Sequence, residues 1–179
     1  MFTTAAMVAQ KKGLDNRKYL VNDEWLTPEH VWQEISTLIT EKEVLWEPFV
    51  SKHHQLSKQS WDKLGIPCVQ TFSNFFETEK PKDATILISN PPFSKKFEVI
   101  EHCLETKDLR FALLLPAWVF ASSTVRKIIY KTDAKDLALI VPKKRIHYLH
   151  PETLAQHRKT NFDSIFISRG VVPAGVHYL

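Results

Sequence analysis

Apolar and polar positions along the chain follow two rhythms. In "WLTPEHVWQEISTLITEK", residues 25–42, Val31, Ile35, Leu38 and Ile39 fall on one stripe at helical spacing. Thr27 is the predicted N-cap, Pro28 suits the first helical position, and Glu29 suits the positive end of the helix dipole. Short apolar runs then read as strands. "EVLWEP" is stopped by Pro48, and "IPCVQTF" is confined to its latter part by Pro67. "ATILIS" and "RFALLLP" are apolar throughout, as strands buried on both faces are. Helical patterns lie between them: "LSKQSWDKLG" ending at Gly65, residues 95–106 burying Phe97, Ile100, Cys103 and Leu104, and "STVRKIIY" capped by Ser122 or Ser123. "DLALIVP", "RIHYL" and "DSIFISRG" read as three late strands. Alternating strands and helices predict an α/β fold, with a mostly parallel sheet, helices on both faces and late strands closing the sheet. Ligands of such sheets bind at the carboxyl ends of the strands, where Glu47, Asn90 and Pro116 stand.

The length, 179 residues at 44% hydrophobic composition, suits one domain, placed at 23–179 behind a flexible, mildly basic lead over 1–22. No run of about 18 apolar residues predicts a membrane span, and the start lacks the apolar core of a secretory signal. Cys68 and Cys103 lie far apart in apolar contexts, as free thiols of an intracellular, reducing compartment (cytoplasm or nucleus) do. A net charge of +4 permits a polyanionic partner. Adjacent His53 and His54 have no cysteine or carboxylate cluster nearby, so no metal site is expected.

The stretch "ISNPPF", residues 88–93, ends a buried strand on a stiff double proline flanked by an amide and a ring. The Asn90 side chain offers one acceptor and two donors. Pro91 and Pro92 lack an N–H, which leaves their carbonyls to accept. Phe93 adds a flat apolar face. A planar base with an exocyclic amine fits this set: the amine donates to the Asn90 oxygen and the Pro91 carbonyl while the ring stacks on Phe93. Two fixed acceptors would draw a conjugated nitrogen toward tetrahedral geometry and localise its lone pair, so that positioning and electrostatics supply the catalysis.

This tetrapeptide resembles the Asp/Asn/Ser-Pro-Pro-aromatic motif of S-adenosylmethionine-dependent amino-methyltransferases, which act on adenine N6 or cytosine N4 in DNA, with relatives acting on RNA and on protein glutamine. "DEWLTPEHVW" (23–32) resembles the element that adenine-N6 enzymes place beside the methionine moiety of the cofactor, "VLWEPF" (44–49) their first strand and its acidic-proline end, and "SNFFE" (73–77) a segment near the cofactor adenine. "RFALLLPAWVF" and "KKRIHYL…NFDSIFISRG" resemble the strand after the catalytic motif and a closing antiparallel hairpin whose loop aromatic helps hold the flipped base. The resemblance implies a Rossmann-like class I methyltransferase fold. It implies Asn90, Pro91, Pro92 and Phe93 as catalytic residues, and Trp25, Thr27, Pro28, Glu47, Pro48, Asn74 and Phe75 as cofactor-binding ones. Trp46 is read as a core or cofactor-flanking ring, Trp118 as a pocket-lining or core ring.

The chain departs from the family pattern in three places. No glycine occurs between Gly13 and Gly65, where active relatives carry a glycine-bearing loop; "VSKHHQ" stands there instead. The end of the second predicted strand offers Gln70 or Thr71 where a carboxylate normally meets the ribose. Asn74 replaces an aspartate. Two readings follow. One is an enzyme transferring methyl from S-adenosylmethionine to adenine N6 in nucleic acid, DNA more than RNA. The other is a non-catalytic methyltransferase-like subunit, binding nucleic acid or serving assembly, with a weakened or lost cofactor site. Lys95, Lys96, Lys143, Lys144, Arg145, Arg158 and Lys159 are candidate phosphate contacts, and they read equally as surface charges. No gap is long enough for a target-recognition insert, so specificity is low, or a protein partner supplies it, or the chain is a minimal domain.

Overall fold

In the structure, a computed structural model, residues 25–50, 55–156 and 161–179 are described. The lead over 1–22 lies outside them, as do Lys52, His53, His54, Arg158 and Lys159. Seven strands form one sheet in the order β2-β1-β3-β4-β6-β5-β7. They are β1 (Leu45–Glu47), β2 (Cys68–Gln70), β3 (Ile86–Ser89), β4 (Phe111–Pro116), β5 (Leu137–Val141), β6 (Ser164–Arg169) and β7 (Gly175–Tyr178). All neighbours run parallel except at β6, which is antiparallel to both β4 and β5.

Among the described residues four α-helices cover the sheet: α1 (Glu29–Ser36), α2 (Leu56–Lys63), α3 (Lys96–Glu105) and α4 (Ser123–Thr132). Alternation along the strands divides the apolar side chains between two cores. Leu45, Ile86, Ile88, Leu114 and Phe166 face Trp32, Ile35 and Trp61 of α1 and α2. Trp46, Leu87, Leu113, Leu115 and Ile167 face Val99, Ile100, Cys103 and Val125 of α3 and α4. β3 and β4 are buried along their whole length, as continuous apolar runs require.

Three sequence expectations change. Thr27 does not cap α1: Pro28 occupies the cap position, no side chain caps the helix, and the Thr27 hydroxyl is buried without a partner among the described residues. The helix also stops at Ser36 rather than continuing toward residue 42. Ser36 Oγ and Thr37 Oγ1 donate to the carbonyls of Gln33 and Glu34 at 2.7 and 2.8 Å and so compete for the bonds that would extend it. "RIHYL" is not a ladder strand. Both edges of β6 are already taken, so the segment makes only isolated bridges, Leu149 to Leu26 and to Gln156. The seventh strand, β7, joins β5 from a C-terminal run whose polar-apolar mixture gave no signal.

Gly65 ends α2 as expected, at φ +70°, with its N–H on the Asp62 carbonyl and the Ile66 N–H on that of Trp61. Ser122 caps α4, its hydroxyl accepting from the Val125 N–H at 3.2 Å.

Candidate functional site

The strand order reverses at β1. The chain passes from β1 to β2 on one side, then returns to place β3 on the other. Open α/β sheets bind ligands in the crevice outside such a switch point. Glu47 ends β1, Gln70 ends β2, and Ser89-Asn90 ends β3.

Asn90 is oriented by the chain's lead into α1. Its Nδ2 donates to the Trp25 carbonyl at 2.6 Å. That contact fixes which end of the amide is free: Oδ1 is buried and has no partner among the described residues. An unpaired buried acceptor costs roughly 1–3 kcal/mol, so a donor supplied by a ligand is favoured there. Two further hydroxyls are buried without partners in the neighbouring backbone, Thr27 Oγ1 and Ser89 Oγ. Ser89 follows Leu87 onto the α3 side, whereas Asn90 and Thr27 belong to the α1 side, so the three line both walls of the strand ends.

The ring of Phe93 is half-buried among aromatics from distant segments. Trp25 lies at 6.4 Å between centroids, 23° from parallel. Phe162 and Tyr148 meet Phe93 edge-on at 5.6 and 6.0 Å. The Tyr148 hydroxyl donates to, or accepts from, Ser164 Oγ at 2.8 Å, and burial pushes its ionisation up, so it stays a neutral wall. Trp25, which the resemblance groups with the cofactor, therefore stands beside Asn90 and Phe93, by carbonyl and by ring. Tyr148 and Phe162 did not emerge as site residues from the sequence; the signal was the expectation of an aromatic in the loop before the last long strand.

The second proline does not offer a free carbonyl as expected: Pro92 accepts from the Lys95 N–H at 3.0 Å, closing the short 3-10 turn Phe93–Lys95. Lys96 is likewise engaged within the protein. Its ammonium donates to the Phe93 carbonyl at 2.9 Å and lies 4.5 Å from the centre of the Phe97 ring and 5.5 Å from that of Trp118. It braces the motif. Lys95 pairs loosely with Glu98 at the surface, and Arg145 lies 3.4 Å from Asp163. Lys143 and Lys144 are exposed.

At the β1 end of the crevice, Glu47 is 2% exposed and accepts from Gln70 Nε2 at 2.8 Å. Burial pushes its carboxyl up to about 7; hydrogen bonds from Ser57 and Gln70 and the charge of Lys58 hold it from going further. Pro48 follows it directly, and Pro28 sits at the α1 cap. Asn74 spends its side chain on its own turn, Oδ1 accepting from the Phe76 N–H at 3.3 Å and Nδ2 donating to Glu77 at 2.8 Å. Phe75 is buried against Trp46, Phe49 and His102. Trp46 is buried too, its indole N–H on Thr71 Oγ1 at 3.0 Å. A cleft of about 410 Å³ between Phe75, Phe76 and the far half of α3 shares no residue with the Asn90 corner.

The Glu47 geometry sets a pH dependence. Below pH about 4.5 the carboxyl is protonated in both folded and unfolded chains and contributes nothing. Between there and about 7 only the folded chain keeps the proton, so stability falls as pH rises, by about 3 kcal/mol in all. Glu47→Gln keeps a partner for Gln70 and removes the titration. Urea unfolding from pH 4 to pH 8 is expected to show the wild type losing stability relative to this variant across that window; parallel profiles would rule the assignment out.

No family model matches the sequence, and no curated protein matches it. Solved structures share its fold. A Listeria monocytogenes protein described as a class I S-adenosylmethionine-dependent methyltransferase aligns with a TM-score of 0.54 at 14% identity, over 98% of this chain and 70% of its own. The 23S rRNA methyltransferase ErmE aligns at 0.50 and 10% identity, over 83% and 71%. A dimethyladenosine transferase from Plasmodium falciparum aligns at 0.51 and 11%, over 84% and 63%. The chain thus has the Rossmann-like fold of class I methyltransferases, with a mostly parallel sheet and an antiparallel strand near its end.

Proposed function

We propose that the chain transfers a methyl group from S-adenosylmethionine to the exocyclic N6 amine of adenine in nucleic acid, with DNA favoured. The observation that carries this reading is the Oδ1 of Asn90, buried and without a partner among the described residues, in an amide held through Nδ2 by the Trp25 carbonyl beside the Phe93 ring. An acceptor and a stacking face at the end of the strand beside the switch point are what an amine on a planar base needs. The fold likeness to an rRNA methyltransferase and a dimethyladenosine transferase is compatible with a nucleic-acid substrate.

The residues present fit the cofactor at two points: the Thr27 hydroxyl is buried and has no partner among the described residues, and the carboxyl of Glu47 stands at the β1 end of the crevice. Thr27, Pro28, Glu47, Pro48 and Phe75 would hold S-adenosylmethionine, which supplies a methyl group activated by a sulfonium. The protein's own part is to accept. Asn90 Oδ1 and the Pro91 carbonyl take hydrogen bonds from the two amine protons, Phe93 fixes the plane of the base, and Lys96 fixes Phe93 through its carbonyl. The nitrogen that gains the methyl group would be cationic until it loses one proton to water; the two carbonyl oxygens hold its N–H groups by hydrogen bond and do not themselves take the proton.

A second reading is favoured by a specific observation: the carboxyl of Glu47 and the amide of Asn74 are both engaged inside the protein, and Gln70 faces Glu47 rather than a ribose. On that reading the chain is a nucleic-acid-binding or assembly subunit. Calorimetry with S-adenosylmethionine separates the two. The enzyme should bind it at micromolar concentration and lose at least tenfold in Glu47→Ala; absence of heat at millimolar cofactor selects the subunit.

A further inference from the structure

Trp118 stands just beyond Pro116, at the carboxyl end of β4, the strand next to the one that carries Asn90. Unlike Trp32, Trp46 and Trp61, which are at most 2% exposed, its indole is 53% exposed. It is nevertheless held in place. The Ala117 N–H donates to the Asp163 carbonyl at 2.8 Å, which ties its turn to the loop carrying Phe162. The Ser122 N–H closes the other end on the Val119 carbonyl at 3.1 Å. The Lys96 ammonium, already bonded to the Phe93 carbonyl, lies over the indole. One lysine therefore spans from the catalytic motif to this ring. The cation lies 5.5 Å from the ring centre, and the exposed half of the residue is open to a ligand.

We propose that Trp118 is a second nucleobase site outside the reaction pocket, stacking on the unpaired base that neighbours the target. The inference rests on the reading of Asn90–Phe93 as the corner that holds the target base. An ordered indole loses little conformational entropy when a flat partner settles on it, and every base has a face to offer. A base inside a duplex has both faces covered by its neighbours and cannot lie on this ring. The proposal therefore assigns the substrate as a single strand, or a duplex opened beside the target. Because Lys96 is committed within the protein, the contribution of this site is stacking rather than phosphate neutralisation, and it persists as salt rises.

The test uses the full chain and dye-labelled single-stranded 11-mers of DNA and of RNA carrying one adenine, each also made with an abasic residue on either side of that adenine or at the adenine itself. Binding is read by fluorescence anisotropy at low and high salt. The wild type should lose about 5- to 100-fold in affinity when one particular neighbour is abasic. Trp118→Ala should lose a similar factor on the intact strand and no more on the abasic one, at both salts, while Trp118→Phe retains most of the affinity. Wild-type indifference to an abasic neighbour, or an equal loss for Trp118→Ala on intact and abasic strands, overturns the proposal. If the wild type still responds to loss of the target adenine, the reading of the Asn90 corner survives that failure. If it binds no oligonucleotide of either kind, both fall together. Comparison of DNA with RNA tells which strand the site receives.

Discussion

Arg169→Ala is expected to lower the unfolding free energy by about 3–5 kcal/mol, the largest loss of any single change outside the apolar core. Arg169 ends β6, and its half-buried guanidinium donates to four carbonyls where α3 stops: Cys103, Leu104, Thr106 and Leu109, at 2.7 to 3.2 Å. Those of Cys103 and Leu104 belong to the last turn of the helix and have no acceptor role within it. A cation at the negative end of the dipole adds to the effect, and the group lies 5.6 Å from the centre of the Phe111 ring. Alanine would remove the guanidinium from all four carbonyls at once, leaving that of Thr106 with only its long bond from the Leu109 N–H at 3.4 Å. Arg169→Lys should recover only part, since an ammonium lacks the planar fork that reaches four oxygens. Urea unfolding of the three proteins at one pH decides the matter: a loss under 1 kcal/mol in the alanine variant would mean that water serves these carbonyls equally well.

Asn90→Ala is expected to lower methyl transfer to an adenine-bearing oligonucleotide by about 100- to 1000-fold, the usual effect of losing one preorganised polar group at the reacting centre. Affinity for S-adenosylmethionine should hardly change, because the proposed function assigns Asn90 to the base and the Glu47 side of the crevice to the cofactor. The same change frees the Trp25 carbonyl, so Asn90→Asp is the informative companion. It keeps an acceptor but lacks the donor that Trp25 uses at 2.6 Å, and should retain more activity than alanine and less than the wild type. Single-turnover assays with labelled methyl, beside calorimetry on the same preparations, give both readouts. Undiminished turnover in Asn90→Ala would remove this residue from the mechanism.

Much of the architecture was written locally. Apolar runs of four to six residues bounded by prolines located β1, β3 and β4, and glycine and serine punctuation located the ends of α2 and the start of α4. What failed was non-local. "RIHYL" alternates as a strand does, with Ile146 and Tyr148 buried and His147 exposed. A strand also needs a free edge, and whether one exists depends on where β4, β5 and β6 lie. Thr27-Pro28 offered two positions one residue apart for the start of α1, and the proline took the cap. In the candidate site, Asn90 and Phe93 stood out in the sequence because four adjacent residues carry the whole proposed chemistry. Trp25, Tyr148 and Phe162 were not legible as partners of Phe93, because segments far apart in the chain bring them together. The commitments of Lys96 and Asn74 were hidden for a different reason: their hydrogen-bond partners lie within three residues, and a side chain meets them only once the backbone closes the turn.

The placement of β6 bears on how the chain emerges from synthesis. β4 is complete at residue 116, but the strand that covers its outer edge begins only at Ser164, and β5 can join the sheet only across β6. Until that late segment arrives, six consecutive apolar-rich residues of β4 present open hydrogen-bonding groups along one side, the arrangement most prone to capture by another chain. The nascent protein thus carries an aggregation hazard between the synthesis of β4 and that of β6, and the arrival of one antiparallel segment relieves it.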